Sequence, residues 1–200
     1  MLSLSKKELT KKDPTKKDTN DDFLSMLSSW KWTNMNCILD PIRGVGGLYL
    51  GNIDGAEDLK ELKKNKITAV LTVAAGTGLI YDAKEIPNHK IIEAEDVASF
   101  DLSIYFDSAL EFIQNNIKKG NVYVHCFAGV SRSATIVIAY LMKEKKWGLS
   151  AALTYVRCRR PIACPNSGFL KHLEDFELRL KGDQKGDKKR SVCLPTKKVY

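Results

Sequence analysis

The chain has few cysteines, and nothing in the sequence pairs them. Cys37, Cys126, Cys158, Cys164 and Cys193 are odd in number and form no Cys-x-x-Cys. A fully paired disulfide framework is excluded. Zinc is not expected either, because Cys158 and Cys164, which flank Pro161, have no matching second pair. No stretch approaches the ~18–20 consecutive apolar residues of a membrane span. Met1 to Pro14 carries Lys6, Lys7, Lys11 and Lys12 with no apolar run behind them, so it does not read as a secretory leader. The lysine-rich ends lack the interleaved aromatics of a nucleic-acid surface, and no internal repeat is visible. These absences lead us to expect a reducing, intracellular setting, the cytoplasm first and the nucleus second, with no membrane span and no nucleic-acid partner.

What is present suits one globular core. The 200 residues are 44% hydrophobic, enough for a single good core and hardly two. The net charge is +8, and its placement is uneven. Residues 1–22 alternate lysine with acids and read as a disordered arm. Residues 181–200, KGDQKGDKKRSVCLPTKKVY, read as a basic flexible tail, with Lys188, Lys189 and Arg190 as a sharper docking or nuclear-import reading. The ordered domain is then 23–180. Its first segment, with Phe23, Leu24, Leu27 and Trp30 at helical spacing, is expected to pack on the outside.

Elements can be placed coarsely. Leu48 to Leu50 reads as a first short strand, and Gly55 to Lys64 as a helix with Ala56, Leu59 and Leu62 inward. Ile67 to Val73 is a β-branched strand, and His89 to Ala94 a further one. Asp101 to Lys119 is amphipathic, with Asp101 as N-cap and Gly120 ending it. Ser150 starts another helix that Arg160-Pro161 stops, and Phe169 to Leu180 forms the last.

Between them lies the most informative stretch, NVYVHCFAGVSRSATIVIAY, Asn121 to Tyr140. A buried strand gives way to a compact loop and then to an apolar helix. Loop amides and a helix N-terminus together make an anion cradle. Cys126 opens the loop and Arg132 closes it, with five residues between them. The guanidinium can offer two parallel donors to two phosphate oxygens. The same positive field favours thiolate: cysteines so placed fall to about 3.5–7.5 in pKa. Gly129 is where the backbone must approach an anion closely or take positive φ.

HCFAGVSRS resembles the signature loop of cysteine-based protein phosphatases, His-Cys-x-x-Gly-x-Ser-Arg-Ser/Thr, and Ala128 to Ser133 is similar to the dual-specificity branch. LYLGN before the first helix, ITAVLTV, and VRCRRPIACPNSGFL resemble further motifs of that family in the same order. The resemblance runs from about Gly47 to Leu180. It implies an α/β fold of the protein-tyrosine-phosphatase type: a central mixed, largely parallel sheet of four to five strands flanked by helices. It implies a small catalytic-domain-only enzyme, monomeric or weakly dimeric, needing no metal or cofactor. Its substrates would be phosphoproteins, both phosphotyrosine and phosphoserine/phosphothreonine, hydrolysed through a phosphocysteine.

Such chemistry needs an acid for the leaving oxygen. Glu93, Glu95 and Asp96 are close together, and the residues alone do not choose among them. The family register does: the acid lies five residues before the Asp-Leu that opens the next helix, here Asp101-Leu102 with Tyr105-Phe106, which selects Asp96. This loop, Asp96-Val97-Ala98-Ser99-Phe100, lacks the proline often found after the acid. By the same resemblance, Cys126 is the nucleophile. Phe127, Ala128, Gly129, Val130, Ser131 and Arg132 bind the phosphate. Ser133 assists breakdown of the intermediate, and His125 and Asn166 support the loop. Cys158 or Cys164 is a candidate backup thiol for oxidised Cys126. Two rival readings remain: a non-catalytic phosphoprotein-binding module, and a phosphoinositide or RNA 5′-phosphatase. Phe127, Ala128 and Val130 offer no extra lysine to a polyphosphate.

Overall fold

The computed structural model describes the backbone of residues 33–190 and the side chains of 33–182. The expected arm, the Phe23 to Trp32 segment, Cys193 and the last ten residues lie outside the described residues. The strands are β1 (Met35–Leu39), β2 (Leu48–Gly51), β3 (Ile67–Val73), β4 (Asn88–Ile92) and β5 (Asn121–His125). The helices are α1 (Ile53–Glu57), α2 (Leu59–Lys64), α3 (Phe106–Ile117), α4 (Arg132–Lys145), α5 (Leu149–Arg159) and α6 (Ser167–Arg190). A 3₁₀ turn, Ser103–Tyr105, leads into α3.

The sheet order is β1-β2-β5-β3-β4. β1 pairs antiparallel with β2, and the remaining neighbours are parallel. This is the mixed, largely parallel sheet expected, with β1 added. β5 is central and fully buried, because parallel strands need cover on both faces. Its Val122 and Val124 join the larger core, with Leu48, Leu50, Ala69, Leu71 and α4. Tyr123, one residue out of phase, joins Tyr49, Val70, Ala56 and Leu62 in the second core.

Helix α4 carries the larger core. Every residue from Arg132 through Met142 is buried, which fits the all-round apolar run Ala134 to Leu141. Phe106 of α3 and Phe176 of α6 meet edge-on at 5.2 Å between centroids. Asn121 sets the entry to β5: its Oδ1 accepts from Gly47 N at 2.7 Å, and its Nδ2 donates to Asn65 O at 2.7 Å.

The elements depart from the sequence expectation in several places, four of them larger than an end shifted by one or two residues. β1 was not anticipated at all. The single helix 55–64 is two helices broken at Asp58, whose carboxylate accepts from Lys60 N and Glu61 N and so caps α2. Asp101 caps the 3₁₀ turn, accepting from Ser103 N and Ser103 Oγ, and α3 proper starts at Phe106. α6 runs on from Leu180 to Arg190.

Candidate active site

The loop from Cys126 to Ser131 lies between the C-terminal end of β5 and the first turn of α4. Its carbonyls are tied outward, one after another. Cys126 O accepts from His125 Nδ1 at 3.4 Å, and Phe127 O from Ile53 N at 3.1 Å. Ala128 O and Gly129 O accept from Arg160 Nη2 and Nε at 3.3 and 2.7 Å. Val130 O accepts from Cys164 N at 2.8 Å, and Ser131 O from Thr135 N at 2.9 Å. With these carbonyls engaged by groups around the loop, its amides are free to turn inward, as that of Gly129 does toward Cys126 Sγ. That is the geometry of an anion nest. Gly129 takes φ +66°, and a Cβ there would overlap Gly51 O and the Arg160 guanidinium.

The helix start is left open as well. Ser131 occupies the N-cap position of α4 but makes no side-chain cap to the helix. Its hydroxyl instead donates to Asp96 Oδ1 at 2.8 Å. The positive end of the helix therefore lies against the loop without a side-chain cap.

Cys126 is buried, 1% exposed, on the floor of this loop. Its sulfur accepts from Gly129 N at 3.3 Å and from Ser133 Oγ at 3.1 Å. Both donors suit a sulfur carrying negative charge. Arg132 sits at the start of α4, 8% exposed. Its Nη1 donates to Ala94 O at 3.1 Å and its Nε to Asp96 Oδ2 at 3.3 Å. The half-exposed Phe127 ring lies 5.5 Å from its guanidinium carbon.

The acid loop faces this constellation through one carboxylate. Asp96 takes Ser131 Oγ, Arg132 Nε and, at 3.0 Å, Asn166 Nδ2. Glu93 is turned elsewhere, accepting from Gly76 N at 3.0 Å, and Glu95 is exposed. Asn166 also caps α6 through Phe169 N, and its own N–H donates to Ser131 Oγ at 3.2 Å. One residue thus contacts the loop at Ser131 and caps α6.

His125 is fully buried, and burial pushes its pKa down to about 4, so the ring is neutral. Cys158 and Cys164 are both exposed, and Cys164 is tied to the loop through its backbone. Arg160, 2% exposed, is a residue the sequence reading passed over. It also donates to Thr33 O and to Asn36 Oδ1 of β1, at 3.0 and 2.6 Å. Burial lowers its pKa while Cys126 pulls the other way. The only signal was its place before Pro161 in the phosphatase-like tract.

A buried thiol, a buried arginine and an opposed carboxylate around an anion nest define a cysteine-dependent phosphatase. The comparisons agree. The model of the "Dual specificity phosphatase, catalytic domain" matches residues 48–179. The chain is 44% identical over 138 residues to dual specificity protein phosphatase 1B of Arabidopsis thaliana, covering 68% of this chain and 81% of that protein. It is 40% identical over 142 residues to dual specificity protein phosphatase 19 of Mus musculus, covering 70% and 63%. The crystal structure of DUSP15 superposes with a TM-score of 0.60 at 33% identity, covering 70% of this chain and 94% of that one. The chain belongs to the dual-specificity protein phosphatases.

Proposed function

We propose that the chain hydrolyses phosphotyrosine and phosphoserine/phosphothreonine on proteins in two steps through Cys126. The sulfur attacks phosphorus in line with the leaving oxygen, while Arg132 and the amides of Phe127 to Arg132 hold the equatorial oxygens. Asp96 gives its proton to the leaving oxygen, and the P–O bond breaks to leave a phosphocysteine. Asp96 then takes a proton from a water that attacks the same phosphorus. Ser133, already on the sulfur, supports the departing thiolate. The observation that carries this reading is the loop of tied carbonyls around the buried Cys126 sulfur, closed by Arg132, which is paired to Asp96.

The apolar positions Phe127, Ala128 and Val130 favour a singly phosphorylated side chain over a polyphosphate headgroup or RNA end. A phosphotyrosine peptide, a phosphothreonine peptide and a phosphoinositide should be assayed side by side. We expect turnover of both peptides to exceed that of the lipid, and loss of all turnover in Cys126→Ser. A lipid preferred over both peptides would replace the substrate assignment. Retained turnover in Cys126→Ser would end the mechanism.

A further inference from the structure

Three adjacent strands carry a line of polar side chains on one sheet face that ends beside the nucleophile. Thr72 of β3 is registered with His125 of β5, and His89 of β4 with Val70, two residues before Thr72. The Thr72 hydroxyl lies 2.9 Å from His89 Nε2 and 2.8 Å from His125 Nε2. Cys126 O can only accept, so His125 Nδ1 carries hydrogen. His125 is neutral, so its Nε2 must accept, and the single hydrogen of Thr72 points there. Thr72 therefore accepts from His89, which fixes a hydrogen on His89 Nε2. Every group has one role: His89 donates to Thr72, Thr72 to His125, and His125 to the Cys126 carbonyl.

We propose that His89 is a positioning residue for Cys126, fixing the tautomer and orientation of His125 through Thr72. Hydrogen bonds linked head to tail in a low-dielectric interior polarise one another. A polarised Cys126 carbonyl makes the N–H of the same peptide unit, that of Phe127, a better donor to negative charge in the loop. Losing the outer member weakens the whole line. Losing Thr72 or His89 also frees His125 to take the other tautomer, which turns a lone pair toward the Cys126 carbonyl. His89 sits edge-on to Tyr81 at 4.8 Å, and His125 stacks on Tyr123 at 5.5 Å. Burial raises the pKa of both tyrosines, so they stay neutral; Glu57 adds to this at Tyr81, while at Tyr123 the Arg160 charge opposes it and Glu61 adds to it.

The test is the rate of iodoacetamide alkylation of Cys126 as a function of pH, in the full chain. His89→Phe keeps the aromatic contact and removes the donor; His89→Gln keeps a donor. Thr72→Val is the second, near-isosteric cut. We expect His89→Phe to slow alkylation about threefold to tenfold on the acid limb, with the alkaline plateau unchanged. His89→Gln should follow the wild type. Because the relay is serial, adding His89→Phe to Thr72→Val should slow alkylation no further. A wild-type profile for His89→Phe, equal slowing in His89→Gln, or additive effects would overturn the proposal. It rests on Cys126 being the nucleophile of the proposed reaction; loss of turnover in Cys126→Ser tests that separately.

Discussion

Asp96 holds three donors at once, Ser131 Oγ, Arg132 Nε and Asn166 Nδ2, so the proposed general acid and the proposed phosphate clamp begin in contact. A substrate phosphate must take the guanidinium from that pair. Asp96→Ala should lower kcat about 10²–10⁴-fold, the usual size of a lost general acid, and leave the phosphopeptide bound. Steady-state kinetics with a pull-down of phosphopeptide checks both. His125 gives a pH prediction. Its folded pKa is depressed by burial, so the unfolded chain binds a proton that the folded chain does not. Stability is then lost as pH falls from the ordinary histidine range near 6.5 toward about 4, by up to on the order of 3 kcal/mol. His125→Gln should flatten the decline in Tm over that interval. An equally steep decline would assign the acid sensitivity elsewhere. Most of these residues were legible in sequence because Cys126 to Ser133 is contiguous and Asp96 stands at a fixed distance from Asp101. Arg160 was not. Its partners are backbone carbonyls of a loop about 30 positions away, and Arg157 and Arg159 carry the same charge beside it.

Arg160 is also where an element meets the site. It ends α5, and it joins β1, through Asn36, to the phosphate loop. Arg160→Lys keeps the charge and loses the fork that spans two carbonyls. We expect the protein to fold, with inorganic phosphate binding about 10–100-fold weaker, since one or two buried acceptors lose a charged donor. Unchanged phosphate inhibition would make Arg160 a packing residue only. β1 itself escaped the sequence reading because an edge strand with partial burial has no clear period: MNCIL alternates neither strictly nor strongly. The break between α1 and α2 was hidden for a related reason. Asp58 falls within an unbroken run of helix-compatible residues, and only its two backbone partners mark it as a cap. β3, β5 and α4 were legible because buried parallel strands and a core helix leave long apolar runs.

At the scale of the molecule, the parallel sheet brings the ends of β5 and β4 to one edge, so the loop after Cys126 and the loop that carries Asp96 meet there. The two cores hold that edge in place. Phe106 is 1% exposed and joins α3 to α6; Phe106→Ala should cost about 3–5 kcal/mol in urea unfolding, without a direct effect on chemistry. The family signature placed the loop, but four of the six tied carbonyls, those of Phe127 to Val130, depend on α1, Arg160 at the end of α5 and the turn before α6. Those contacts are long-range and have no local pattern. In the proposed mechanism phosphate passes through the sulfur of Cys126. Acid quenching of the enzyme during turnover of a phosphotyrosine peptide labelled at phosphorus, followed by peptide mapping, tests it most directly. The label should appear on the peptide holding Cys126 and be absent from Cys126→Ser. Turnover with no labelled protein on any time scale of the reaction, or label surviving in Cys126→Ser, would contradict it.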